Sequence, residues 1–319
     1  MASRTTKWVI GGILAVVVIV GLWVVAIAAV IGSGGASSRG EWLEETIEDA
    51  GGEKVAMVSV FGEIFGDPDG VARGATDENI VSQLDQASKD PKVTAIVVDL
   101  DTPGGAVVAS DTIYRKVLEI RDEGKPVVAL MRDVAASGGY YIAAGANHIV
   151  ANPATLTGSI GVIMFLPNLT GSAEKLGIEP VIIKSGPFKD IASPFKDMSQ
   201  QEREILEKII DEAFDQFVSA IVEGREMEDT EVRRLADGRI YTGRQALENG
   251  LIDSLGDRAF AFDKAKELAE SPDASLVRYV RTVGLAESLL GFSAPDPAEE
   301  LREAIGFPRP GLHYLWLSP

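Results

Sequence analysis

The sequence predicts an α/β fold built on a mainly parallel sheet and carried on an N-terminal transmembrane helix. From Lys54 onward, short β-branched runs alternate with amphipathic helical stretches, as repeated strand–helix–strand units require. Ahead of them, residues 8–32 form 25 consecutive positions without a charge. The chain has 319 residues, 46% hydrophobic and 24% charged, which is enough for one large core or two modest ones and too apolar for disorder.

Taken in order, residues 1–7 form a short cytoplasmic N-terminus. As a helix, residues 8–32 would span ~37 Å at 1.5 Å per residue, against a hydrocarbon core of ~30 Å. A cleavable signal peptide has an apolar core of only ~7–15 residues. Arg4 and Lys7 precede the run, while Glu41, Glu44, Glu45, Glu48 and Asp49 follow it. The positive-inside bias therefore places everything after Gly32 outside the cell membrane. Residues 33–53 open with the flexible linker SGGASSRG. A soluble domain follows over 54–292, and a tail over 293–319.

Within the domain, runs 55–61, 95–100, 126–131, 148–151, 162–165 and 180–183 read as buried strands. Stretches 79–88 and 109–123 read as amphipathic helices. A longer helix covers 199–223, with Ile205, Ile209, Ile210, Phe214 and Phe217 on one stripe and a Ser199–Glu202 capping box at its start. There is no internal repeat. The GDPDG stretch at 66–70 reads as a solvated turn. The tail looks peripheral, although HYLWL at 313–317 is unusually apolar for a terminus.

Composition removes several chemistries. With no cysteine there is no disulfide, thiolate metal site or cysteine nucleophile. Two histidines, His148 and His313, argue against a multi-His metal centre. A net charge of −18 argues against nucleic acid, whose phosphates demand a basic face.

In open parallel sheets, ligands gather at the carboxyl ends of strands. Three post-strand loops qualify: DTPGG at 101–105, AASGGYY at 135–141 and KSGPFKD at 184–190. Ser137 precedes a helical run, either as a plain N-cap or as a nucleophile beside the unpaired Gly138 N–H. Gly104 and Gly105 form a turn that can also bring an N–H to an oxyanion. His148 lies eleven residues beyond Ser137, across an intervening helix, and reads as structural; His313 is no better placed. A Ser–Lys dyad is the remaining option, with Lys189 as base if desolvation lowers its pKa from ~10.4 by roughly three units. Phe188, Ile191 and Pro194 supply apolar neighbours, and Ser159 is a candidate hydroxyl to orient the amine. On composition alone, Lys189 is a surface lysine.

These residues resemble a known family. AASGGYYIAAGA, TPGG, LTGSIGV, IKSGPFKDI and GRIYTGRQALENGLID, in that order, look like the short form of the signal peptide peptidase A family, the S49 serine proteases on the ClpP/crotonase-like fold. The resemblance covers about 54–257. It implies Ser137 as nucleophile, Lys189 rather than Lys184 as general base, and Ser159 as the residue that hydrogen-bonds the lysine. It also implies Gly138 with Gly104 or Gly105 as the oxyanion hole. GRIYTGRQALENGLID reads as structural punctuation.

The chemistry implied is acyl transfer without a metal or cofactor, on signal peptides and other apolar peptides at the membrane. The family's habit implies a homo-oligomeric ring in which one protomer can complete its neighbour's pocket. The tail HYLWL itself resembles such a substrate and is expected to occupy the groove or be trimmed. Competing readings are a protease of the same clan with one membrane-protein target, an acyl-CoA enzyme on the same fold, and a non-catalytic membrane scaffold.

Overall fold

The computed structural model describes residues 42–66, 74–280 and 311–316. The chain divides into two compact units, residues 1–43 with 280–307, and residues 44–279 with 308–319. The description below concerns the second. The expected transmembrane helix at 8–32 lies outside the described residues, and among those described no helix is long and apolar enough to cross a membrane.

The main sheet contains β1 (Leu43–Glu48), β2 (Lys54–Phe61), β5 (Val93–Thr102), β7 (Val127–Ala136), β8 (His148–Ala151), β9 (Leu156–Gly158), β10 (Ile240–Thr242), β11 (Ser254–Leu255) and β12 (Ser275–Val280). Its order is β1-β12-β2-β5-β7-β8-β11, with the pairs from β12 to β11 all parallel. The runs expected at 55–61, 95–100, 126–131 and 148–151 form its centre. Their β-branched side chains suit strands buried on both faces. Residues 43–48, expected within the linker, add the edge strand.

Helices cover both faces. Helix α8 (Arg258–Leu268) lays Ala261, Phe262 and Ala265 on Val55, Val97, Val128 and Leu130. Helices α1 (Asp77–Lys89) and α2 (Val107–Asp122) bury Ile80, Leu84, Ile113, Val117 and Ile120. Each buried aliphatic side chain of this size contributes about 1.5–3 kcal/mol relative to exposure.

Strand β7 carries the site, because its two halves have different neighbours. Val128–Met131 pair with β8, and Val134–Ala136 pair with β9. Past the point where they part, β7 runs into the seven-residue α3 (Gly138–Ala144), which is buried throughout. Beside it, β5 leads through Pro103 into a second sheet, β13-β6-β3-β4. This sheet consists of β3 (Ile64–Phe65), β4 (Ala75–Thr76), β6 (Gly104–Ala106) and β13 (His313–Leu315).

Three expectations are corrected. Residues 180–183 form no strand: Val181 and Ile183 are 85% and 96% exposed among the described residues. Residues 162–165 contribute a single bridge, Ile163 to His313. The tail is not peripheral at 313–315, for Tyr314 is fully buried. Helix α4 (Thr170–Lys175) is short, whereas α5 (Gln200–Arg225) is long and opens on the expected capping box of Ser199 and Glu202. Its buried stripe runs through Ala213, Phe217, Val218 and Ile221, while Ile209 faces outward. Helices α6 (Asp229–Leu235) and α7 (Gly243–Glu248) complete the unit.

Candidate active site

Ser137 stands at the junction of β7 and α3 with φ 53° and ψ −112°. Its side chain makes no capping bond, so the reading as a plain N-cap does not describe it. A strained strand-to-helix turn of this kind lifts a serine hydroxyl out of the sheet. The turn is held from both sides: Ser137 N–H donates to Gly158 O at 2.8 Å, and Tyr141 N–H donates to Ser137 O at 2.8 Å. Ser137 is 1% exposed, and its Oγ has no hydrogen-bond partner among the described residues. A buried hydroxyl left unpaired costs about 1–3 kcal/mol, which suits a group kept available for a reaction.

The glycines that follow are required by space. A Cβ on Gly138 would meet Ser110 Oγ at 2.5 Å, and one on Gly139 would meet Thr102 Cγ2 at 2.7 Å. Helix α3 is fixed behind them by Tyr140, whose hydroxyl donates to Leu251 O at 2.9 Å, and by Tyr141, whose hydroxyl donates to Asp111 at 2.8 Å. Burial pushes both phenols well above their usual pKa.

On the neighbouring strand, the Gly104 N–H donates to Thr102 Oγ1 at 3.0 Å. That commits one of the two candidate donors internally. Gly104 adopts φ 96°, and a side chain there would collide with the Tyr314 carbonyl oxygen and stand 2.6 Å from Gly138 N. From the Cβ position of Gly138, Gly105 N and Tyr314 O are each 3.2 Å away. Gly105 N, Gly138 and the carbonyl of Tyr314 therefore converge.

Ser159 sits on the adjoining turn with φ 49°. Its N–H donates to Arg239 O at 2.8 Å, and β10 pairs with β9 through Ile240 and Gly158. The Tyr241 ring fills the space where a Gly158 Cβ would stand. Residues 238–243, read in the sequence only as punctuation, thus support the turn that carries Ser159. Thr102, Ser110, Arg239 and Tyr241 carry no signal in the sequence that marks them as site residues. Each supports the site through an ordinary-looking threonine, serine, carbonyl or ring, which leaves no mark in a motif.

Lys189 lies on the turns that follow Lys184, and it is exposed. Because Ser137 Oγ has no partner, the chain does not bring this amine onto its own serine. The apolar shield expected from Phe188, Ile191 and Pro194 is also open: Phe188 is itself exposed and the other two only half-buried. Lys184 is engaged elsewhere, donating to Pro187 O at 3.0 Å and to Asp190 at 2.7 Å. Lys184, then Lys196 at 3.0 Å, hold the Asp190 carboxyl down to about 2. His148 binds Ser254 Oγ through Nε2 at 2.9 Å, and burial lowers its pKa. It serves the sheet edge.

The second sheet ends on the tail. β13 runs antiparallel to β6, with Tyr314 opposite Gly105 and His313 opposite Ala106. On its other side, His313 and Ile163 exchange both backbone hydrogen bonds, at 3.0 and 3.1 Å.

Comparison with known proteins agrees with this geometry. The model of peptidase family S49 matches residues 119–271. A protein of Enterococcus faecium named for signal peptide peptidase SppA is 38% identical over 79% of this chain and 74% of its own. A Methanocaldococcus jannaschii protein named as a protease is 37% identical over 74% of this chain and 77% of its own. Protease 4 of Salmonella typhi is 36% identical over 71% of this chain and 36% of its own, longer sequence. A strained serine beside a glycine loop, in a chain with these relatives, identifies a serine protease belonging to peptidase family S49.

Proposed function

We propose that this chain is a membrane-anchored endopeptidase that uses a Ser–Lys dyad to degrade cleaved signal peptides and other apolar peptides at the outer face of the cell membrane. The observation that carries the reading is Ser137: buried, backbone-strained, unpaired at Oγ, and one residue from the glycine nitrogens. In the reaction, neutral Lys189 takes the Ser137 proton as Oγ attacks the peptide carbonyl. Gly138 and Gly105 donate to the oxyanion, each such donor supplying about 10²–10³ in rate. The lysine returns the proton to the leaving amine, and water then resolves the acyl-enzyme. Ser159 orients the lysine.

In this reading Lys189 comes from another copy of the chain, which is supported by its exposure within one chain and by the unpaired Ser137 Oγ. The neighbouring surface supports a homo-oligomer: Leu176, Ile178, Val181 and Ile183 are all at least half exposed, an apolar stretch of the kind that marks an interface. Burial in that interface would also supply the desolvation that a lysine base needs. Residues 8–32 supply the single-pass anchor, with the N-terminus cytoplasmic, and hold the site near its substrates.

The test is hydrolysis of a signal-peptide-derived peptide by the full chain in detergent. Wild type is expected to cut, while Ser137→Ala and Lys189→Ala, still folded by circular dichroism, lose at least about a thousandfold. Near-normal turnover by Lys189→Ala would remove that residue as base and return Lys184 to consideration.

A further inference from the structure

On the face of the main sheet that α8 covers, the strands present Val55, Val97 and Val128 to the helix. The period of two brings later residues of the same strands to that face: Met57, Ser59 and Phe61 of β2, Asp99 of β5 and Arg132 of β7. There, with residues of β1, β12 and the start of α8, they line a cavity of about 330 Å³. That is enough for a small ligand.

Three arginines meet in it: Arg132, Arg278 of β12 and Arg258 of α8. In a chain of net charge −18 such a convergence runs against the composition, and like charges brought together cost free energy unless an opposite charge answers them. Two carboxylates of the lining answer in part. Arg132 donates through Nε and Nη2 to Asp99 at 2.5 and 2.7 Å, and Asp99 is fully buried. Arg278 donates through Nε to Glu45 at 2.8 Å. Arg258 stands 4.0 Å from Glu48, beyond hydrogen-bonding reach. Among the described residues the lining keeps one net positive charge. A guanidinium has five N–H donors, so these contacts leave each of the three with donors to spare. Beside the charge lies an apolar strip: Met57 is buried, Ile47 half-buried and Phe61 exposed. Thr46 and Ser59 add hydroxyls to the same lining.

We propose that this cavity binds the free C-terminal carboxylate of short apolar peptides, the products that peptide-bond hydrolysis releases. The proposal rests on the protease reading for the source of its ligand, while the cavity shares no residue with the Ser137 turn. A carboxylate cancels the single net charge and pairs with a guanidinium edge through two parallel hydrogen bonds. The strip takes the last side chain, and the hydroxyls suit peptide groups better than an alkyl chain. Arg132 and Ser137 lie five residues apart on one strand and the turn that ends it, roughly 16 Å at the rise of a strand. A peptide of three residues spans only about 10 Å, so one held here does not reach the serine.

The test is calorimetric titration of the full Ser137→Ala chain in nonionic detergent with three probes: acetyl-Ala-Leu-Leu as the free acid, the same peptide as its C-terminal amide, and octanoate. The acid is expected to bind at least about tenfold more tightly than the amide, and more tightly than octanoate. Because Arg258 and Arg278 are half exposed at their side chains, 47% and 49%, the advantage should shrink severalfold between about 50 and about 500 mM NaCl. Arg258→Gln/Arg278→Gln, folded by circular dichroism, should bind the acid no better than the amide. Equal binding of acid and amide overturns the proposal, as does an advantage that survives both salt and the double substitution. Octanoate binding as tightly as the acid overturns the choice of a peptide. Since Ser137→Ala keeps turnover out of these titrations, they judge the cavity alone, and the hydrolysis assay judges the protease reading.

Discussion

Ser137 and Ser159 are the two site positions where a side chain coexists with a positive φ, 53° and 49°. A residue with a Cβ in so sparse a region stores about 1–3 kcal/mol of strain, and surrounding contacts must hold it there. The hydrogen bond from Ser137 N–H to Gly158 O couples the two turns, so strain at one is fixed by the other. The strain belongs to the backbone, which separates it from the hydroxyl by mutation. Ser137→Ala and Ser137→Gly both lose the hydroxyl, but only glycine releases the dihedral. Ser137→Gly is therefore expected to be more stable than Ser137→Ala by about 1 kcal/mol in chemical denaturation. Equal midpoints would mean that the turn is relaxed and that its shape comes free with the fold.

Among the elements, the loop carrying Lys189 is tied down by charge rather than by packing. Lys184 and Lys196 both reach Asp190, and Lys196 also reaches Glu202 in the capping box of α5. Lys184 first, then Lys196, keep Asp190 down to about 2; Lys196 first, then the Ser199 N–H, do the same for Glu202. Both folded-state values lie below the unfolded ones, so this stabilisation is present above the usual carboxylate range and is lost as pH falls through about 2. Limited digestion with pepsin should spare residues 184–202 near pH 4 and cut them first as pH 2 is approached. Equal cutting at both values would show that the ion pairs do not hold the loop. The sequence predicted the central strands and the major helices because their signals are local: β-branched runs, amphipathic spacing, a capping box. It misread 180–183 because Val181, Ile182 and Ile183 have the composition of a buried strand, yet among the described residues they stay exposed. It misread the tail because the pairing of His313 with Ala106 joins residues about two hundred apart, and no local pattern records that. The strand-to-helix turn at Ser137 was legible from its glycine-rich loop at a strand end. That the Gly104 N–H is taken up by the Thr102 hydroxyl was not, since no local pattern records where that hydroxyl points.

At the scale of the whole molecule, one protomer is incomplete for the chemistry proposed. Ser137 is buried and unpaired among the described residues, and Lys189 is exposed on a segment whose apolar residues face outward. Each deficit answers the other if the same two surfaces meet between copies, which is a heterologous contact and closes into a ring when the rotation allows. A net charge of −18 sets like-charged protomers against one another, so the contact must rest on apolar burial, and salt should favour assembly by screening the repulsion. A dyad shared in this way has a consequence that a dyad within one chain lacks. Ser137→Ala keeps an intact lysine to lend, and Lys189→Ala keeps an intact serine to receive one. Dissociated and reassembled together in equal amounts, the two inactive variants should regain activity, because about a quarter of the junctions then unite an intact serine with an intact lysine. Each variant reassembled alone should stay inactive, and mixing without dissociation should restore nothing. If the mixed assembly forms, as judged by its sedimentation, yet remains inert, the lysine is not shared between copies. The unpaired hydroxyl of Ser137 would then need its base from a movement of the 184–190 loop within one chain.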